Sequence, residues 1–422
     1  MTIDRSWVGS ANHPATDFPL MNLPCGVFSV EGAPPGCGVA IGDFVLDATG
    51  LEAAGLLRPG DAPVLDQACW NGLMAQGPKA WATFRERLTE LLSEGAAERH
   101  GVEPHLVPFA DVRLHLPFRV SEYTDFYASI HHARNVGTML RGATNALPPN
   151  WLSMPIGYNG RASSVVVSGT PVRRPWGQIL EKGADVPIFS PSRRFDMEVE
   201  LGAVVGTASS GPVSVAQADA MIFGYVLLND WSARDIQGWE YQPLGPFQSK
   251  ATATTISPWI VTSQALKPFR VASPPRERPL LPYLAEPGPL LFDIWIESTL
   301  APDKGPDTTI SRTNTRELYY SSAQQLAHHA SCGCPMKTGD LIGSGTISGA
   351  VRQSRGSLLE LTWGGEEPLR LTSGEDRRFL EDGDRVTLRG HAQGPGYRIG
   401  FGACEGTILP ALESHPASPT VI

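Results

Sequence analysis

Cysteine is scarce in this sequence: six thiols (Cys25, Cys37, Cys69, Cys332, Cys334, Cys404) are scattered through 422 residues. Their number and scatter exclude a disulfide scaffold. Cys332 and Cys334 stand one residue apart, which is not a zinc-site spacing, and no second pair matches them, so they read as loop thiols. No apolar run approaches the ~20 residues of a membrane span. The opening Met1-Thr2-Ile3-Asp4-Arg5 leads into a polar, proline-containing segment rather than a secretory core. A protein of the reducing cytoplasm, without membrane association, is expected. Positive charge is also short. With 34 Lys and Arg against 43 Asp and Glu, the net charge of −9 leaves no basic footprint for nucleic acid. The glycine-rich loop Gly343-Ser344-Gly345-Thr346-Ile347-Ser348-Gly349 has neither the phosphate-loop nor the dinucleotide spacing. It is expected to form a tight turn or to let backbone approach a ligand closely.

Glycine (44) and proline (37) are abundant and follow no period, which calls for many turns and a β-rich chain with long loops. A chain of 422 residues exceeds one typical core, so two domains are expected. Leu116-Pro117 marks the boundary, giving units at 1–117 and 118–422. In the first, 26–30 and 38–46 read as short strands. Trp81, Phe84, Leu88, Leu91 and Leu92 recur at helical spacing and predict an amphipathic helix over 79–94. In the second, β-branched runs alternate with turns, and helices are expected over 214–221 and 316–330. The stretch 414–419 reads as a docked or frayed tail. There is no internal repeat and no low-complexity region.

The most informative stretch is Phe195-Asp196-Met197-Glu198-Val199-Glu200-Leu201, continuing into Gly202-Ala203-Val204-Val205. As a strand it puts Glu198 and Glu200 on one face. Two carboxylates so placed repel each other, and a hard divalent cation relieves that repulsion. The competing reading is a solvated edge strand.

Other segments offer partners. Val226-Leu227-Leu228-Asn229-Asp230 reads as a buried strand delivering an aspartate to its end. After it, helical character puts Asp230, Arg234, Gln237 and Tyr241 on one face, with Asp230 as a helix cap in the plainer reading. A helix through the segment after Tyr123 would set Asp125 and His132 on a shared face, and only one of His131 and His132 is expected to enter a given site. Histidine is a residue type suited to base catalysis at neutral pH, which makes His132 a candidate, although a lone histidine is more often structural. The segment 358–363 reads as a strand apolar on both faces, so Glu360 is expected to be buried and paired with a histidine or arginine.

Together these segments resemble the fumarylacetoacetate hydrolase family. The resemblance runs through almost the whole chain, from Asp17-Phe18-Pro19 and Asn22-Leu23-Pro24 through Asp125-Phe126-Tyr127 and Gly157-Tyr158-Asn159-Gly160-Arg161. It continues through Asn229-Asp230-Trp231-Ser232-Ala233-Arg234-Asp235, Trp239-Glu240-Tyr241 and Ser344-Gly345-Thr346 to Gly396-Tyr397-Arg398. It implies a mainly β (α+β) fold, with a small SH3-like barrel N-terminal domain, a larger mixed β-sandwich roll and a homodimer. It implies hydrolysis of the carbon–carbon bond of 4-fumarylacetoacetate, a small diketo acid, at the end of tyrosine and phenylalanine breakdown.

Carried over by position, Asp125, Glu198, Glu200 and Asp230 would hold Ca2+ or Mg2+, with a second magnesium position near Asp230, Lys250 and Thr254. His132 matches the general base and Glu360 the acid that orients it. Arg234, Gln237 and Lys250 match an oxyanion-stabilising wall. Tyr127, Arg141, Tyr158, Gln237, Tyr241 and Thr346 match substrate contacts. Two positions depart from the family pattern: Ile130 replaces an arginine, and Ser249-Lys250-Ala251-Thr252 replaces Gly-Lys-(Ser/Asn)-Phe. Within the superfamily, acylpyruvate hydrolysis and oxaloacetate decarboxylation use similar acidic sites. Outside it, the competing class is a non-catalytic metal-binding protein.

Overall fold

Two long apolar segments set the architecture. Strands Val199–Val205 and Ile222–Asp230 are buried at every position and pair antiparallel, with Leu201 opposite Leu227. In the computed structural model, which describes residues 4–415, they form the middle of an eight-stranded sheet. Its order is Gly157–Asn159, Tyr123–Phe126, Leu341–Gly343, Val199–Val205, Ile222–Asp230, Thr254–Ile256 and Val165–Val167, with Val261–Thr262 pairing alongside Ile222–Asp230. The glutamate-bearing strand is therefore central, and the edge-strand reading is excluded.

Side chains alternate across this sheet. On one face Tyr123, Val204, Val226, Leu228 and Leu341 pack into a core shared with the N-terminal residues. That unit contains an antiparallel five-stranded sheet of order Leu106–Pro108, Phe44–Asp47, Gly36–Ile41, Cys25–Ser29, Arg113–His115. It also contains helix Pro78–Leu92, whose Trp81, Phe84, Leu88, Leu91 and Leu92 are buried as their spacing predicts. On the other face Leu201, Ala203, Tyr225 and Leu227 meet a second five-stranded sheet through Ile296, Leu300, Val386, Leu388 and Phe401. The molecule is mainly β, as expected.

Several local expectations need correction. Residues 358–361 form a short helix, Leu358–Leu361, not a strand; Ser357 caps it by accepting from Glu360 N. Tyr123–Phe126 is a strand and the helix starts only at Ile130, so Asp125 and His132 do not share a helix face. Asp230 ends a buried strand as expected, but it is neither the cap nor part of the following helix: Ala233 takes the cap position of helix Arg234–Glu240. The helix expected over 316–330 is shorter, Ser322–Ala330, with a capping box from Ser321 and Gln324. The helix Val215–Met221 has a matching box from Ser214 and Gln217. All six cysteines are free, and Cys332 is exposed as a loop thiol should be. Of the tail, 416–419 lies outside the described residues; His415 packs on Phe189 and Trp176. No described helix is long and apolar enough to cross a membrane.

Candidate active site

The same alternation that builds the core builds the acid cluster. Asp125 has the parity of Tyr123, Glu200 that of Val204, and Asp230 that of Val226 and Leu228, so all three lie on one face at strand ends. Glu198, just before its strand, joins them. One ligand atom from each of Asp125, Glu198, Glu200 and Asp230 lies within 4.8 Å of the others, and all four residues are buried.

Strand Leu341–Gly343 runs between the strands carrying Asp125 and Glu200. A Cβ on Gly343 would stand 2.5 Å from Asp125 Oδ1 and 3.0 Å from Glu200 Oε2, so only glycine leaves these acids room. Two residues on, Gly345 N–H donates to both, at 3.2 Å to Asp125 Oδ1 and 3.0 Å to Glu200 Oε2. The glycine-rich loop thus serves the acid cluster.

Buried like charges raise each other's pKa. Burial and neighbouring Asp230 push Asp125 up to about 8; burial, Asp125 and Asp230 push Glu200 well above the carboxylate range. Glu198 goes the other way. Burial alone would raise it, but Lys250 and Arg234 outweigh burial and hold it low. Lys250 Nζ reaches Glu198 and, at 2.6 Å, Asp230 Oδ2; Arg234 Nη2 lies 2.6 Å from Glu198 Oε1. Glu200 Oε1 and Asp230 Oδ1 are buried without a hydrogen-bond partner. Orphaned carboxylate oxygens in an all-oxygen cluster are what a hard divalent cation would satisfy, so the residues fit such an ion.

His132 lies in the first turn of helix Ile130–Arg141, buried at 4% exposure, with its Nδ1 2.6 Å from Glu360 Oε2. Glu360 also accepts from Asn135 Nδ2 at 2.8 Å, Ser348 Oγ at 2.9 Å and Ser357 Oγ at 2.9 Å. Burial would raise the Glu360 pKa, but the charge and hydrogen bond of His132, with those of Asn135 and Ser348, hold it below the usual value. An ionised glutamate is acceptor-only, which places the imidazole proton on Nδ1 and leaves Nε2 free to accept. Adjacent His131 turns away toward Glu317, at 3.6 Å.

A cavity of about 950 Å³ opens over these groups. His132, Glu198, Arg234, Gln237 and Lys250 line it, with Asp125, Tyr127, Arg141, Tyr158, Tyr241 and Thr346. Behind that wall lie Glu200, Asp230, Thr254 and Glu360, all fully buried. Tyr158 donates to Asp230 Oδ2 at 3.1 Å, Gln237 Oε1 accepts from Arg234 Nη1 at 3.1 Å, and Tyr127 stands edge-on to His132 at 5.2 Å. Thr254 faces Asp230 across the strand pair, its hydroxyl unpartnered.

Sequence reasoning missed Asn135, Ser348 and Ser357, which hold Glu360, and Asp196, which holds Arg234. The Ser357-Leu358-Leu359-Glu360 spacing is a capping signal that points to a helix start at 358.

Comparison with known proteins shows the family of this chain. Residues 122–409 match the family model for the fumarylacetoacetate hydrolase C-terminal region, and 21–117 match that for the fumarylacetoacetase N-terminal region. A Rattus norvegicus fumarylacetoacetase is 47% identical over 407 residues, covering 94% of this chain and 97% of its own. An Arabidopsis thaliana fumarylacetoacetase is also 47% identical, over 415 residues, covering 96% and 97%. Among solved structures, a fumarylacetoacetate hydrolase from Exiguobacterium antarcticum shares the fold at TM-score 0.54 and 16% identity, covering 92% of this chain and 99% of its own. With family models spanning both parts of the chain and relatives at nearly half identity, this chain belongs to the fumarylacetoacetate hydrolase family.

Proposed function

We propose that this chain hydrolyses 4-fumarylacetoacetate to fumarate and acetoacetate, the last step of tyrosine and phenylalanine breakdown. The observation that carries this reading is that a histidine–glutamate pair and a four-carboxylate cluster meet at the wall of one cavity, in a chain whose curated relatives are fumarylacetoacetases.

Water attack on a β-diketone carbonyl needs a base, and expulsion of the carbon leaving group needs its charge held. His132 Nε2 takes the proton from water, while Glu360 fixes the tautomer and stabilises the imidazolium; such a base contributes ~10²–10⁴ in rate. Arg234, Gln237 and Lys250 donate toward the oxygen that becomes negative, each worth about 3 kcal/mol in sites of this kind. Lys250 is suited to it: burial would lower its pKa, but Asp230 and Glu198 raise it and keep it an ammonium. The carbon–carbon bond breaks with its electrons passing to the acetoacetate fragment as an enolate. A proton from the imidazolium then gives acetoacetate beside fumarate.

Asp125, Glu198, Glu200 and Asp230 would hold Ca2+ or Mg2+, which supplies Lewis-acid stabilisation of diketone and enolate oxygens worth several kcal/mol. A second magnesium position would lie near Asp230, Lys250 and Thr254, supported by the buried, unpartnered Thr254 hydroxyl. Tyr127, Arg141, Tyr158, Gln237, Tyr241 and Thr346 are assigned to substrate binding, on the support of their place around the cavity or its acids. A cytoplasmic homodimer is the expected form. The test is the loss of fumarylacetoacetate absorbance with stoichiometric appearance of fumarate; turnover of acylpyruvates or oxaloacetate alone would replace this assignment.

A further inference from the structure

Asp196 is fully buried, and all its capacity as an acceptor is used. Its Oδ1 accepts from Met197 N at 2.8 Å and Leu358 N at 2.8 Å; its Oδ2 accepts from Leu359 N at 2.9 Å and Arg234 Nε at 2.8 Å. Three separate parts of the chain meet on this one side chain. Phe195–Asp196 pairs with Ser232–Ala233, which leads into the helix carrying Arg234 and Gln237. Leu358 and Leu359 are the first two residues of the helix Leu358–Leu361, and Glu360 follows at once. Two residues after Asp196 comes Glu198, which takes the other edge of the same guanidinium through Arg234 Nη2.

The consequences are geometric. The first N–H groups of a helix have no intrahelical partner. Asp196 occupies two of them and Ser357 Oγ the third, at Glu360 N, so the direction in which Glu360 leaves the backbone is fixed. Arg234 is held on its Nε edge, which leaves Nη1 and Nη2 for Gln237 and Glu198 at the cavity. One carboxylate thereby sets the distance between the group that orients the base and the group that meets the developing oxyanion.

Building on the function proposed above, we propose that Asp196 is the positioning residue that locks the His132–Glu360 pair and the Arg234 guanidinium into one catalytic geometry. It is fully buried and does not line the cavity; it acts through Glu360 and Arg234. An isosteric amide cannot replace it. Each Asp196 oxygen faces two donors, so either orientation of an asparagine aims its NH2 at N–H groups.

The experiment is steady-state fumarylacetoacetate hydrolysis by the full chain loaded with Mg2+ or Ca2+, comparing parent, D196N, E360Q and the double variant. For D196N we expect kcat to fall ~10–100-fold, the usual cost of losing a supporting partner, with bound metal retained. KM should move by no more than roughly twofold, because ground-state binding is not what Asp196 supports. In the double variant the two losses should be far from multiplicative, since both act on one unit. A D196N enzyme with parental kcat overturns the inference, as does a loss that only follows lost metal or lost folded protein. Should D196N not fold, D196E keeps the charge on a longer side chain; it should retain metal and lose kcat about tenfold, and unchanged kcat overturns the inference. An inactive parent overturns the function proposed above and this inference with it, whereas an active parent with an unaffected Asp196 variant overturns this inference alone.

Discussion

His132 Nδ1 lies 2.6 Å from Glu360 Oε2 across a sequence separation of 228 residues, and neither side chain has appreciable access to bulk solvent. A buried carboxylate is costly unless paired and fully hydrogen-bonded. Here four donors meet that need, and the outcome is an oriented imidazole. His132→Ala should therefore lower kcat by ~10²–10⁴ while leaving the metal content unchanged. Parallel turnover assays and elemental analysis check this; an active variant would remove His132 from the base role.

Gly343→Ala is expected to behave as a metal-site variant although Gly343 carries no ligand. Its Cβ would collide with Asp125 Oδ1 at 2.5 Å and press on Glu200 Oε2 and Tyr123 OH. Divalent-cation affinity should fall at least ~10-fold, with activity recovering only at high cation concentration. Isothermal titration with Mg2+ or Ca2+ reads this directly, and parental affinity would contradict it.

Metal binding should release protons. Asp125 is raised to about 8 and Glu200 well above its usual range, so without a cation the cluster holds protons at pH 7. A cation requires the ionised forms, so affinity should rise as pH increases from 6 toward 8. Calorimetric titrations in buffers of different ionisation enthalpy count the protons. A pH-independent affinity with no proton release would contradict the prediction.

Glu360 sets a stability change on the acid side. Its folded pKa is lowered, so the stability it contributes is fully present above its unfolded value, about 4.3. That stability is lost as the pH falls through the folded value. Glu360→Gln should flatten the loss of Tm with decreasing pH below ~5. Thermal melts of both proteins from pH 7 to 3 make the comparison, and parallel curves would show that Glu360 has no such role.

Much of this was legible in the sequence because local periodicity and burial pointed the same way. Helix Pro78–Leu92 and the buried strand ending at Asp230 follow from spacing and composition, whereas spacing puts Glu198 and Glu200 on one face without deciding whether that face is buried. Residues 358–361 misled because a short apolar run has no distinguishing period; the Ser357 cap and the Asp196 carboxylate settle it as a helix. Asp125 and His132 were legible as residues but not as a pair on one helix, because strand pairing with Leu341–Gly343 claims Asp125. Asp196 lay in the most informative run and carried no sequence signal, since its four donors come from segments brought together only by folding.

The central claim is that the carboxylate cluster and the His132–Glu360 pair act together on one substrate. Fumarylacetoacetate turnover by the same preparation before chelation, after chelation and after return of Mg2+ or Ca2+ tests it most directly. Hydrolysis to fumarate and acetoacetate, its loss on chelation and its restoration by the cation are expected. Full activity in the metal-stripped protein, or none in the metal-loaded one, would contradict that claim.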